Sequence, residues 1–141
     1  MARRLVVCAL AVGALLGAFS PWGPLTGQAQ GGAVPGAPVI GFAQPVNPLG
    51  STSLGGAVRV SFRAPASVGG SAITSYTATA TPILPGSAVS VTGLKSPLVI
   101  TGLTNGAVYT VTVRAQNASG LSSASGPSNF VRPRADAIPV L

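Results

Sequence analysis

A chain of 141 residues with no histidine, one cysteine and a single acidic residue, Asp136, has little with which to move protons or hold metals. General acid–base catalysis draws on His, Asp or Glu, and metal sites need these or Cys as ligands, so no catalytic residue, metal or cofactor is expected. The formal net charge of +7 raises the question of nucleic acid, but the cations are spread along the sequence, whereas phosphate binding wants them clustered on one face, and nucleic acid is not expected as a partner.

Met1 to Ala29 has the anatomy of a secretory signal peptide. Arg3 and Arg4 give a positive start, Leu5 to Phe19 is an apolar or small run, Pro21, Gly23 and Pro24 break it, and Gly27 and Ala29 are the small residues before a cut ahead of Gln30. The run falls short of the roughly 20 residues a membrane-spanning helix needs, so cleavage is expected rather than retention as an anchor. The product is then secreted, with no membrane contact after cleavage. Cys8 precedes the apolar core instead of following it, which does not suit a lipoprotein box. Arg3, Arg4, Leu5, Val6 and Val7 fit a minimal twin-arginine pattern, but the short start and very apolar core favour general secretion. Without Cys8 the mature chain has no cysteine, so its core alone must hold it together.

Residues 30–37 are rich in Gly, Pro and Ala and read as a flexible lead-in. Val39 to Ala43 is a short apolar strand, and the prolines after it, Pro45 and Pro48, place it at a sheet edge. After a turn-rich connection over Asn47 to Gly56, the stretch Ala57 to Ala64 alternates: Val58, Val60 and Phe62 point one way, Arg59, Ser61 and Arg63 the other. A period of two is that of a half-buried strand, so the arginines lie outside. Pro65 ends it, and Ala66 to Ser71 is a loop.

Ile73 to Thr81 puts Tyr76, Ala78 and Ala80 inside and Thr77, Thr79 and Thr81 outside, the β-branched threonine suiting a wet strand face. Ala88 to Thr92 is a short strand, and Leu98 to Thr101 another, with Leu98 and Ile100 inward and Leu103 closing the next corner. The clearest alternation starts at Tyr109: Tyr109, Val111, Val113 and Ala115 face in, while Thr110, Thr112, Arg114 and Gln116 face out. Asn117 to Gly126 reads as a Ser/Gly/Ala loop, Ser128 to Arg132 as a final strand around Phe130 and Val131, and 134–141 as a tail. Seven short strands with regular turn signals and no helical period predict an all-β fold, an antiparallel sandwich.

The residues resemble a fibronectin type III domain over about Gly36 to Pro133, with the domain placed at 38–133. The resemblance is carried by Val58, Val60, Phe62 and Pro65, by Gly70, Ile73 and Tyr76, and above all by Leu103, Gly106, Tyr109, Val111, Val113, Ala115, Asn117 and Gly120. It implies a seven-stranded immunoglobulin-like β-sandwich, with Tyr109 at the tyrosine corner and its hydroxyl reaching back to the backbone a few residues upstream. The chain departs from the family in three places. Phe62 stands where a tryptophan is usual, Asn105 replaces the common corner proline, and the loop after Asn117 has no Arg-Gly-Asp, so integrin-type adhesion does not carry over.

The sandwich serves as spacer, receptor module and binding domain, so function must be argued from surfaces. The first expectation is a secreted, non-catalytic structural or interaction module, its outer positions small, polar and uncharged. The alternative is a carbohydrate- or anionic-polymer-binding module, with Arg59 and Arg63 as the candidate binding residues. Sugar recognition stacks rings on exposed aromatics, and only Phe42 or Phe130 is a candidate to be spare; both are expected in the core. The edges at Val39 to Ala43 and Ala88 to Thr92 could take an added strand, but Pro38, Pro45 and Pro85 guard them. A serine nucleophile lacks a base, since no motif sets Lys95 beside one. Asn117-Ala118-Ser119 matches a glycosylation sequon, but the Ala/Gly/Val/Arg-rich composition looks bacterial, so Asn117 is expected to shape its loop instead. A monomer meeting an extracellular protein or polysaccharide is the expected state.

Overall fold

The computed structural model describes residues 32–47 and 55–135, with the backbone of 138–139. The leader at 1–29 and most of the connection after Asn47 lie outside the described residues. Alternation builds two four-stranded sheets. The first contains β1 (Val39–Asn47), β2 (Ala57–Arg63), β5 (Leu98–Ile100) and β8 (Ile138–Pro139), in the order β5-β2-β1-β8. The second contains β3 (Ile73–Pro82), β4 (Val89–Gly93), β6 (Tyr109–Asn117) and β7 (Gly120–Leu121), in the order β4-β3-β6-β7. The described residues include no helix.

The inward residues of the two sheets meet as the alternation requires. Val58, Val60 and Phe62 from β2 and Tyr109, Val111 and Val113 from β6 are all buried, with Tyr76, Ala78, Ala80 and Ile100 around them. Each large side chain taken fully out of water here stabilises the fold by about 1.5–3 kcal/mol. The rings of Phe62 and Tyr76 lie 4.9 Å apart and tilted at 51°, a favourable aromatic contact across the sandwich. The tyrosine corner is present: the Tyr109 hydroxyl accepts the Thr104 N–H at 3.1 Å. In the same corner Gly106 has a φ of +87°, a conformation that suits glycine. Asn105 is put to use where the family has proline, its Oδ1 accepting the Gly56 N–H at 2.6 Å.

Three expectations are corrected. First, β1 does not stop at Ala43 but continues through Pro45 to Asn47. The backbone groups of Ala43 face the outer edge of β1, where Asn129 meets them, so by alternation those of Pro45 do too, and the missing N–H breaks no bond to β2. Second, the segment read as a tail contributes β8, which pairs with Val46 and Asn47 in parallel, so one short parallel pair joins the otherwise antiparallel sandwich.

Third, the loop and final strand expected after Asn117 are replaced by a serine ladder along β6. The N–H groups of Ser122, Ser125 and Ser128 donate to the carbonyls of Ala115, Val113 and Val111 at 2.8–2.9 Å. The three serine hydroxyls accept the N–H groups of the same three residues at 2.9–3.0 Å. Each hydroxyl thus stands in for the serine's own carbonyl, and then donates to the carbonyl of the next residue. Three residues of this segment run against two of β6, so no period of two appears. Only at Val131, paired with Tyr109 through both backbone groups, does ordinary bridging return. Phe130, expected in the core, is 71% exposed.

Asn117 does shape its turn. Its side chain is buried, Oδ1 accepts from the N–H groups of Ser119 and Gly120, and Nδ2 donates to the carbonyls of Ala33 and Val68.

Candidate functional site

The outer faces of the two sheets differ in chemistry. On the second sheet threonines dominate, and their hydroxyls satisfy one another: Thr77 with Thr92 at 3.0 Å and Thr79 with Ser90 at 2.8 Å. On the first sheet, β2 presents Arg59, Ser61 and Arg63 to solvent. Both arginines are exposed, as alternation predicts, and lie on one face, about 13 Å apart along the strand at ~3.3 Å per residue. The only acidic residue of the chain, Asp136, is outside the described residues, so no carboxylate among those described neutralises either guanidinium.

Beside them stands a residue that sequence reasoning places in the core. Phe42 is 62% exposed. The pairing of β1 with β2 shifts between Ile40, opposite Phe62, and Ala43, opposite Val60, so that Gly41 and Phe42 share the single partner Ser61. Such a bulge adds one residue and turns the side chains beyond it to the opposite face. Regular alternation from Ile40 would turn Phe42 inward; with the bulge Phe42 points out, and Ala43 takes the buried position.

The bulge is fixed from both sides. The Ser61 hydroxyl accepts the Phe42 N–H at 2.9 Å and donates to the Phe42 carbonyl at 3.2 Å. On the other edge the Asn129 amide accepts the Ala43 N–H and donates to the Ala43 carbonyl, each at 2.9 Å. Position 41 has to be glycine, because a Cβ there would sit 2.6 Å from the Ser61 hydroxyl and 2.9 Å from the Ser61 carbonyl oxygen.

Phe42 and Ser61 line two adjoining clefts. One, of about 220 Å³, is completed by Gln44 and Arg59. The other, of about 580 Å³, includes Val39 and Arg63. The structure therefore brings the two predicted residues together with Phe42, one of the two aromatics named as candidates to be spare but expected in the core, and with Gln44, which the sequence did not single out. The available signal was Gly41, since a glycine inside a strand marks a bulge or a close backbone approach. A further cleft of about 420 Å³ lies between Leu84 and Tyr109, and its lining carries no charged side chain. Among the described residues no group of His, Cys, Asp or Glu could hold a metal ion.

Two facing sheets, a tyrosine corner and a surface site built on strands define an immunoglobulin-like sandwich module. The fibronectin type III domain model matches residues 44–131, more than half of the chain, and the protein belongs to that family. Among solved structures it is similar to the twitchin kinase region from C. elegans, at 28% identity and a TM-score of 0.59, over 72% of this chain and 17% of that one. It is similar to domains A168–A170 of titin at 26% identity and a TM-score of 0.57, over 72% of this chain and 32% of that one. The FN5 domain of Drosophila Lar, at 20% identity and a TM-score of 0.54, covering 77% of this chain and 100% of that one, shows the same fold. The chain spans about a third or less of the titin and twitchin chains it matches. No curated protein matches. Domains of this family act as structural or interaction modules within other proteins and are generally non-catalytic.

Proposed function

We propose that the protein is a secreted bacterial interaction module without catalytic activity, a monomer exported through the leader at 1–29. Its contact surface is the outer face of the first sheet, and its partner an extracellular anionic polymer. The observation that carries this reading is the placement of Arg59 and Arg63, both exposed, on one face with no carboxylate near them among the described residues. Guanidinium groups are weakly hydrated and present donors in a fork that matches carboxylate, sulfate or phosphate oxygens. Two exposed guanidinium groups on a rigid strand therefore favour a polyanion.

A second reading, an inert structural spacer, draws on the second sheet, whose paired hydroxyls leave a neutral surface. Retention on immobilised dextran sulfate separates the two. The interaction module is held at low salt and released as salt rises, and the Arg59→Ala/Arg63→Ala double variant passes straight through. Indifference to salt and to both substitutions would favour the spacer. Sequencing the N-terminus of the secreted protein tests export, with Gln30 expected as the first residue.

A further inference from the structure

We infer that the first sheet's outer face takes an acidic polysaccharide carrying uronic-acid carboxylates, with Phe42 as the platform on which a sugar ring stacks. The inference rests on the proposed reading of that face as the contact surface and narrows it from any polyanion to a sugar. An exposed phenylalanine alone would mean little, since isolated apolar residues are common on surfaces. Phe42 is different because the fold takes specific steps to expose it: a bulge reverses its direction, Gly41 leaves room for the Ser61 hydroxyl, and Ser61 and Asn129 clamp the backbone on either side. A ring held out on a rigid strand loses little conformational freedom when something stacks on it.

Its neighbours fit the flanks of a sugar. Arg59 and Arg63 lie on either side of the Ser61 that pairs with the bulge, so a polymer crossing Phe42 meets one cation before the aromatic and one after it. Gln44, in the cleft with Arg59, supplies an amide for ring hydroxyls. The single aromatic argues against a nucleic-acid strand. Such a strand is held by successive bases stacked on aromatics along a continuous track of cations. The two clefts carry one exposed aromatic, Phe42, beside two cations about 13 Å apart along the strand with an uncharged serine between them. That arrangement suits one stacked sugar ring with carboxylates on the rings to either side.

The test is calorimetric titration of the full secreted chain with polygalacturonate, with the same polymer fully methyl-esterified, and with single-stranded oligodeoxythymidine of matched charge. Polygalacturonate is expected to bind, its uncharged ester not to, and the oligonucleotide to bind more weakly. Phe42→Ala is expected to weaken polygalacturonate binding about tenfold or more, the loss of one stacking contact, with the thermal midpoint unchanged because the ring is exposed. Phe42→Tyr, which keeps the ring, restores it. If Phe42→Ala binds polygalacturonate as the parent does while Arg59→Ala/Arg63→Ala does not, the sugar platform is wrong and the polyanion surface stands. If the oligonucleotide binds as tightly as polygalacturonate and loses as much in Phe42→Ala, the occupant is a nucleic-acid strand and the inference is overturned. If neither polymer binds, the inference and the proposed contact surface fall together.

Discussion

β6 has two sides, and they are built differently. Toward β3 it makes a regular antiparallel ladder from Ser75 to Pro82, in which backbone pairs with backbone and the side chains alternate between core and solvent. Toward the C-terminal segment Val111, Val113 and Ala115 are each met by a serine, one for every two residues of β6. The same strand thus satisfies its polar groups once by extended chain and once by side-chain hydroxyls. Regular pairing announces itself through hydrophobic period, whereas the hydroxyl ladder carries no such period.

The contrast between the two sides is most severely tested at the core that the regular side supports. Phe62 packs on Tyr76 of β3, and Phe62→Ala is expected to destabilise the fold by about 3–5 kcal/mol in urea melts, through lost transfer energy and a cavity. The serine side should be weaker but not negligible. Ser125→Ala leaves the buried Val113 N–H without its acceptor, an expected loss of about 1–3 kcal/mol, together with faster amide exchange at Val113 than at Thr112, which faces β3. A loss near zero would mean that the ladder is ornamental. The smallest effect falls at the junction of the two kinds of pairing. Tyr109→Phe keeps the ring, removes only the bond to the Thr104 N–H, and is expected to lose about 1 kcal/mol in the same melts.

These differences also explain how much can be read from the residues. Alternation alone assigns Val58, Val60 and Phe62, and Tyr109, Val111 and Val113, to the interior, and all six are buried. The same reasoning places Arg59 and Arg63 outside. Alternation fails where one residue is added. In Ile40-Gly41-Phe42-Ala43 the glycine is the one sign that the count slips, and the slip sends Phe42 out and Ala43 in. It fails again where polar side chains replace backbone partners. Ser122 and Ser125 read as loop residues because serine is common in loops, and Ser128 as the start of a final strand, yet all three are buried against β6 by their hydroxyls. Phe130 is misplaced for the same reason, since the segment carrying it keeps the three-residue spacing of the serines. The proposed contact face is therefore half legible: its charges come from strand period, its aromatic from a bulge.

The serine ladder also decides how the molecule behaves in company. A sheet usually ends in a row of bare amides and carbonyls that can recruit another strand and begin a fibre. Along this margin the hydroxyls of Ser122, Ser125 and Ser128 occupy both the last amides of β6 and the carbonyls just beyond each serine. The margin works as an end stop, so along β6 a second copy finds these amides already taken and no template on which to polymerise.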